Sequence, residues 1–321
     1  MSESERKKHL LSVVIVNWNT CDITLNCLES LFAQPTSVPY RVYVVDNASS
    51  DGSPEIIAER FPQTILIKNA ENVGFARANN QVLAQVSTPY ALLLNSDTII
   101  PARDVFSPWV DFMEKNSDVG MSGCRLVFPD YSQQVGDAGY RPTLKSILFH
   151  SIFLSRLFPD RAKGLFLTNY PEGQPYIDVD WVSGAAMMLR MSAVKDAGLM
   201  NDSIFMFAED IEWGCRFKSK GWRVVYLPFI TIVHLQGASS KRQRKPSEFS
   251  LLWLKNVRKL FADLNRGTPV WTFDFFMALG FFLRAQFYGW RGLIMGSEEL
   301  VMKGKRMIHY VEGILSGLEK V

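Results

Sequence analysis

Short polar clusters carry the residue types that can do chemistry in this chain. Glu209-Asp210 follows the aromatic run Phe205-Met206-Phe207 and opens a helical pattern. An ionised carboxylate there can take a proton from a hydroxyl within hydrogen-bond reach. It can equally serve only to favour a helix N-terminus. Asn95-Ser96-Asp97 closes the apolar run Tyr90–Leu94. A divalent cation can make do with one protein carboxylate when substrate phosphates complete its oxygen shell. His234, at the end of Thr231-Ile232-Val233, is a candidate second ligand, although a lone histidine is more often structural. Asp46-Asn47-Ala48-Ser49-Ser50-Asp51-Gly52-Ser53 reads either as a helix-capping turn through Asp51 or Ser53 or as a nucleoside site. In the second case Asp46 accepts the imide N–H of uracil or thymine. Asn72-Val73-Gly74-Phe75-Ala76-Arg77 opens a helix whose N-terminus and arginine both favour a diphosphate. Its plain reading is a glycine packed against a sheet. Trp181-Val182-Ser183-Gly184 is mostly a buried strand in which Gly184 lets a sugar approach.

These clusters need elements to hold them. Leu11–Val16 is an almost unbroken apolar, β-branched run, as a parallel strand buried on both faces requires. The pattern predicts helix 22–34, strand 41–45, helix 53–61, strand 64–67, helix 74–86 and strand 90–94. Such alternation predicts a doubly wound, mostly parallel sheet flanked by helices. Ligands of such sheets lie beyond the carboxyl ends of the strands, where Asn17, Asp46, Asn69 and Asn95 fall. Further strands are expected at 119–128, 179–190 and 223–233, and helices at 192–197 and 209–220. Residues 129–178 are expected to include a mobile loop. The segment 239–246 reads as a basic linker and 249–321 as helical.

The 321 residues, 47% hydrophobic, suffice for one large domain with an appendage. Charge is unevenly placed: residues 241–321 carry +7 and the first 240 carry −4. A basic, aromatic-rich tail suggests an anionic surface as partner. No nucleic-acid-binding motif appears, so nucleic acid is not expected as a partner. Cys21, Cys27, Cys124 and Cys215 match no metal-knuckle spacing. They read as reduced thiols of a cytoplasmic protein, and the run after the charged start is too short for a signal peptide.

In their order the pieces resemble inverting glycosyltransferases of family 2 with the GT-A fold, and among these the rhamnosyltransferase-type branch. The matching pieces are residues 13–19, 44–53, 72–76, 95–97, 182–185, 205–210 and 221–228 together with His234. The resemblance implies a GT-A catalytic domain over 1–240, with a nucleotide-sugar half at 11–97 and an acceptor half at 98–240. The basic linker and helical region of 241–321 follow as an appendage. It implies that Asn17, Asp46 and Asn47 hold the nucleoside, and that Asn72, Gly74 and Arg77 lie near the diphosphate. Asn95 would face ribose and diphosphate, Asp97 would bind Mg²⁺ or Mn²⁺, and His234 would assist it. Asp210, with Glu209 beside it, would be the base, and Trp181 and Gly184 would meet the acceptor. The donor is expected to be dTDP- or UDP-linked, and the acceptor a saccharide or lipid-linked saccharide of cell-surface polysaccharide synthesis. Three positions depart from the family pattern. Asn95 stands where an aspartate is usual, Met200-Asn201-Asp202 replaces a Phe-Asp-Glu, and Glu212-Trp213 replaces an Asp-Leu.

Two rivals make different demands. A nucleotidyltransferase favours a Gly- and Lys/Arg-rich loop after the first strand, where this chain has Asn17-Trp18-Asn19-Thr20. A non-catalytic nucleotide-sugar binder has no need of Glu209-Asp210. A dinucleotide dehydrogenase would show Gly-x-Gly-x-x-Gly after the first strand, which is lacking. In the tail, Asp274, Arg284 and Arg291 interrupt the aromatic run 270–295, making a bilayer span costly. The run is expected either to pack on protein, including a second copy in a homo-oligomer, or to lie at the inner face of the plasma membrane.

Overall fold

The apolar run at the start forms β1 (Leu11–Asn17), in which only Val16 is not buried. In this computed structural model, which describes residues 9–168, 173–235 and 246–318, the side chains of 246–250 apart, the expected alternation continues. It runs through α1 (Cys21–Ala33), β2 (Tyr40–Asp46), α2 (Ser53–Arg60), β3 (Ile65–Lys68), α3 (Phe75–Leu83) and β4 (Tyr90–Asn95). The charged first residues and the basic linker up to 245 lie outside the described residues. β2 and β4 flank β1 in parallel, and β3 lies outside β2. The register pairs Asn17 with Asp46 and Val16 with Asn95, so these polar residues end their strands at one edge.

The chain continues through β5 (Thr98–Ile99), α4 (Phe106–Lys115), β6 (Val119–Val127) and β7 (Ala138–Gly139). α5 (Leu144–Ser151), α6 (Leu154–Leu157), β8 (Ile177–Val179), β9 (Trp181–Val182) and β10 (Ala186–Arg190) follow. α7 (Met191–Ala197), α8 (Glu209–Ser219) and β11 (Arg223–His234) complete this part. The strand expected over 179–190 is thus three pieces, interrupted at Asp180 and again over 183–185. Among the described residues the main sheet runs β3-β2-β1-β4-β10-β6-β11-β5, with β8 added on β11. β10 is antiparallel to both its neighbours, so the sheet is mixed beyond β4. Leu28, Val44, Leu92, Trp109, Met188 and Leu227 belong to its core.

The structure divides the chain differently from the sequence-based division at residue 240. One compact unit is Met1–Ala138 with Pro171–Gln243, and the other is Gly139–Tyr170 with Arg244–Val321. The expected mobile loop is replaced in part by α5 and α6, which belong to the second unit. There they join α9 (Pro246–Leu264), α10 (Val270–Met295) and α11 (Glu298–Leu315). Arg284 donates to the His150 carbonyl at 2.7 Å, satisfying a carbonyl at the end of α5. Burial drives His150 down to about 3, so the ring beside Arg284 is neutral. A Cβ on Gly280 would meet Ser151 Cα at 2.8 Å, so α10 approaches α5 closely there. In the same unit Phe166, in the stretch after α6, stacks on Trp253 of α9 with ring centroids 5.8 Å apart.

Candidate active site

The strand tips of β1 and β2 are locked by one side chain. Asn17 Nδ2 has three acceptors within reach of its two protons: Asp46 Oδ1 at 2.7 Å, Ser53 Oγ at 2.8 Å and Ser49 Oγ at 3.1 Å. Its Oδ1 accepts from Thr24 at 2.7 Å and Thr20 at 2.9 Å. Asn17 is fully buried and saturated, so it shapes the loop and offers no free group to a nucleoside, contrary to the expectation from sequence. Asp46 also receives the Ser49 amide at 3.0 Å. The two loops beyond these strands contain Asn19 and Ala48 at positive φ, 53° and 60°. Such left-handed residues without glycine cost about 1–3 kcal/mol each and collect at functional sites.

Asn47 continues the polar layer. It accepts from Asn69 at 2.8 Å and donates to Asn72 at 3.3 Å. Asn72 Oδ1 in turn accepts the Gly74 amide at 3.0 Å, fixing the entry to α3. Arg77 is exposed and pairs with Asp202 at 3.4 Å, a contact of little energetic weight and open to exchange for a phosphate.

The antiparallel pairing of β5 with β11 sets His234 opposite Thr98, next to Asp97. The Leu235 amide extends the ladder to the Asp97 carbonyl at 2.8 Å. Asp97 Oδ1 and His234 Nε2 end 3.2 Å apart, both side chains almost wholly buried. The residues foreseen as cation ligands, separated by most of the domain in sequence, thus converge. A hard carboxylate oxygen beside an imidazole nitrogen suits Mn²⁺ or Mg²⁺ completed by diphosphate oxygens. No cluster of three or more His, Cys, Asp or Glu is present among the described residues, so the protein's share of such a shell is small. Half-buried Asn95 is held by its backbone, whose amide donates to the Ala185 carbonyl at 2.9 Å.

Glu209 and Asp210 begin α8 directly after two left-handed residues, Phe207 at φ 67° and Ala208 at φ 70°. Neither is glycine, so this turn is held against its local preference by its surroundings. Asp210 Oδ1 accepts the Ile211 amide at 2.8 Å, and Oδ2 faces the Gly184 amide at 3.4 Å. Burial raises both carboxyls above their ordinary range, Glu209 further because the Asp210 charge adds to its desolvation. Glu209 Oε2 is buried without a partner. A carboxylate pair split in this way suits one neutral acid beside one ionised base.

Close contacts join this region to the donor side. The Phe75 amide reaches the Phe205 carbonyl at 3.4 Å. A Cβ on Gly74 would meet the Phe205 ring at 2.9 Å, and one on Gly184 would meet Phe75 at 3.1 Å. Asn80 holds the backbone of Met200 in both directions. Sequence reasoning gives Asn80 and Phe205 no role of their own, although the pair Asn79-Asn80 on a helix and the aromatic run before Glu209 are visible signals. Trp181, expected to meet the acceptor, is instead buried, because α8 crosses β9 at Gly214, where a Cβ would lie 2.9 Å from Trp181 Cβ. Gly184 remains at the site.

Comparison with known proteins bears on the family and the fold. Residues 12–159 match the family described as glycosyl transferase family 2. The N-acetylglucosaminyl-diphospho-decaprenol L-rhamnosyltransferase of Mycobacterium tuberculosis is 26% identical over 95% of this chain and 98% of its own length. Rhamnosyltransferase WbbL of Escherichia coli is 25% identical over 70% of this chain and 83% of its own. Among solved structures, the mannosyltransferase PcManGT of Pyrobaculum calidifontis in complex with GDP-Man and Mn²⁺ superposes with a TM-score of 0.61. That likeness, at 15% identity, covers 97% of this chain and 88% of the other and speaks for the fold. The polar strand tips, the convergent Asp97 and His234 and the buried carboxyl pair therefore lie in a glycosyltransferase with the GT-A fold, whose residues 12–159 match family 2.

Proposed function

We propose that the protein transfers rhamnose or a similar hexose from a dTDP- or UDP-linked donor, with inversion, to a hydroxyl of a lipid-linked saccharide. The observation that carries this reading is the Asp210 carboxyl, raised by burial and held against the Gly184 amide at the end of a strained turn. In its ionised form Asp210 takes the acceptor proton as the hydroxyl oxygen attacks the anomeric carbon. The bond to the diphosphate breaks on the opposite face, and its electron pair leaves with the diphosphate, so one displacement inverts the centre. Asp46 and Asn47 shape the nucleoside end, while the α3 N-terminus behind Asn72 and Gly74 favours the diphosphate. Arg77 exchanges Asp202 for a phosphate oxygen. Mg²⁺ or Mn²⁺ held by Asp97 and His234 would supply electrostatic stabilisation of the departing diphosphate. The rhamnose and lipid-linked assignments are supported by the activities of the relatives.

The second unit supports a place at the inner face of the membrane. No helix among the described residues is long and apolar enough to cross a bilayer. Yet Trp271, Phe275, Phe282, Phe287 and Trp290 are exposed on α10, and Arg291, Lys303, Lys305 and Arg306 stand exposed beside its end. That combination suits anionic headgroups.

Incubating the protein with nucleotide sugars and a polyprenyl-diphosphate saccharide, with and without Mn²⁺, tests the function. The expected result is release of nucleoside diphosphate and a product whose anomeric configuration, read by NMR, is opposite to the donor's. Retained configuration overturns the single displacement. Donor hydrolysis or transfer with none of the nucleotide sugars overturns the function.

A further inference from the structure

Gln134 lies between β6 and β7, in a stretch that no motif marks. Its amide nitrogen donates to the Leu126 carbonyl at 3.0 Å, and its side chain is almost wholly buried. That side chain meets His234 twice. Nε2 donates to the His234 carbonyl at 2.5 Å, and Oε1 lies 2.9 Å from the ring Nδ1. A carbonyl only accepts, so the amide end facing it is the NH₂ group. The end facing the ring is then the oxygen, which also only accepts. The ring must answer with a proton on Nδ1.

In the neutral ring this leaves a lone pair on Nε2, the atom 3.2 Å from Asp97 Oδ1. Two acceptors would then face each other in a nearly water-free place. They are satisfied when both point at one cation. We propose that Gln134 is a positioning residue that fixes His234 as its Nδ1–H tautomer, so that Nε2 and the Asp97 carboxylate form a ready-made cation seat. The proposal rests on the cation reading given above and adds the device that makes it work with one carboxylate. With Asn95 in place of a second acid, the ring nitrogen supplies the second protein ligand. A ring free to hold its proton on Nε2 would have to change tautomer before binding. Outer hydrogen bonds of this kind tune metal affinity about 10- to 100-fold.

Full-length, metal-free protein labelled with ¹⁵N-histidine gives the direct test. The chain has 4 histidines, so the His234 ring signals are assigned by their loss in His234→Asn. Long-range ¹H–¹⁵N correlations, recorded at a pH well above the imidazole range, should show the Nδ1–H tautomer. An Nε2–H tautomer in the wild-type protein overturns the proposal whatever the variants do. Mn²⁺ is then titrated alone and with UDP, with free Mn²⁺ read by electron paramagnetic resonance. Gln134→Leu should weaken Mn²⁺ binding about 10-fold or more while binding UDP without metal as the wild type does. Gln134→Glu, which still accepts from Nδ1, should keep the tautomer and more of the affinity than Gln134→Leu. Wild-type Mn²⁺ affinity in Gln134→Leu overturns the positioning role. If Asp97→Ala and His234→Ala also bind Mn²⁺ as the wild type does, the cation reading itself fails. Loss in those two with no loss in Gln134→Leu leaves the cation reading standing and removes Gln134 alone.

Discussion

Asn80 and Met200 hold each other twice: Asn80 Nδ2 donates to the Met200 carbonyl at 2.8 Å, and the Met200 amide donates to Asn80 Oδ1 at 3.0 Å. The pair spans two segments far apart in sequence. One is α3, whose start borders the proposed diphosphate site. The other leads through Phe205 and two left-handed residues to Glu209-Asp210. The side chain thus does for the backbone of this loop what a neighbouring strand does elsewhere.

Asn80→Ala should therefore lower kcat more than it weakens donor binding. Removing the side chain leaves a half-buried amide and carbonyl without partners, at a cost of about 1–3 kcal/mol. The loop then samples conformers in which Asp210 is misplaced. Steady-state kinetics and thermal melting check this. A raised KM with unchanged kcat would place Asn80 in donor binding instead.

The parallel half of the fold was legible because buried strands must be apolar and β-branched, and β1, β2 and β4 are. Their polar ends marked one edge of the sheet. Asp97 and His234 were foreseen as ligands from residue type, while the pairing of β5 with β11 that joins them is invisible in a 2-residue strand. Asn17 illustrates the opposite failure. Its type and position suggested ligand contact, but four hydroxyl groups and Asp46 consume its capacity. Trp181 was misjudged because nothing local shows that Gly214 lets α8 lie against it. The grouping of α5 with α10 was likewise hidden, since Arg284 and Gly280 act on residues some 130 positions earlier.

Asp210→Asn should abolish most transfer, because an amide cannot take the acceptor proton, while donor binding persists. It should also stabilise the fold. A carboxyl whose folded pKa is raised binds its proton more tightly in the native state, so its contribution to stability is lost as pH rises through that raised value. At neutral pH the buried charge is a burden that the amide removes. Wild-type melting temperature should fall as pH rises above the ordinary carboxylate range of about 4, and this slope should flatten in the variant. In activity the acid limb should lie above that same range. Equal pH slopes of melting in the two proteins would show that Asp210 is not the perturbed group.

Gly214→Ala places a methyl 2.4 Å from the Asp180 carbonyl oxygen and 2.8 Å from Trp181 Cα. Both are backbone atoms, so no side chain can swing away. Either α8 or β9 must move, and overpacking of this kind costs about 1–3 kcal/mol. Because Asp210 lies one turn earlier on α8, transfer should fall along with the melting temperature. Gly221→Ala is the useful contrast: open space surrounds it, but its φ of +87° imposes a local penalty alone. Activity per folded molecule should drop in the first variant and hold in the second.

The end of α10 offers the last test. Leu293, Ile294 and Met295 are consecutive and 75%, 81% and 60% exposed, which no packing within the chain rewards. On α10 and the first half of α11, Arg291, Lys303, Lys305 and Arg306 outnumber Glu298 and Glu299, and Lys303 and Glu299 engage each other at 2.6 Å. An apolar tip on a helix pair with this excess of exposed cations matches a leaflet of anionic lipid, each cation adding about 1 kcal/mol near the surface. The triple change Leu293→Ser, Ile294→Ser and Met295→Ser should keep the melting temperature. It should reduce co-sedimentation with phosphatidylglycerol-containing vesicles by about 10-fold or more, taking roughly 1 kcal/mol for each side chain partly withdrawn from water. Lys305→Glu with Arg306→Glu should chiefly diminish the salt-sensitive part of binding. If the triple variant instead splits a wild-type dimer and leaves vesicle binding unchanged, the exposed face covers a second copy of the chain, not lipid.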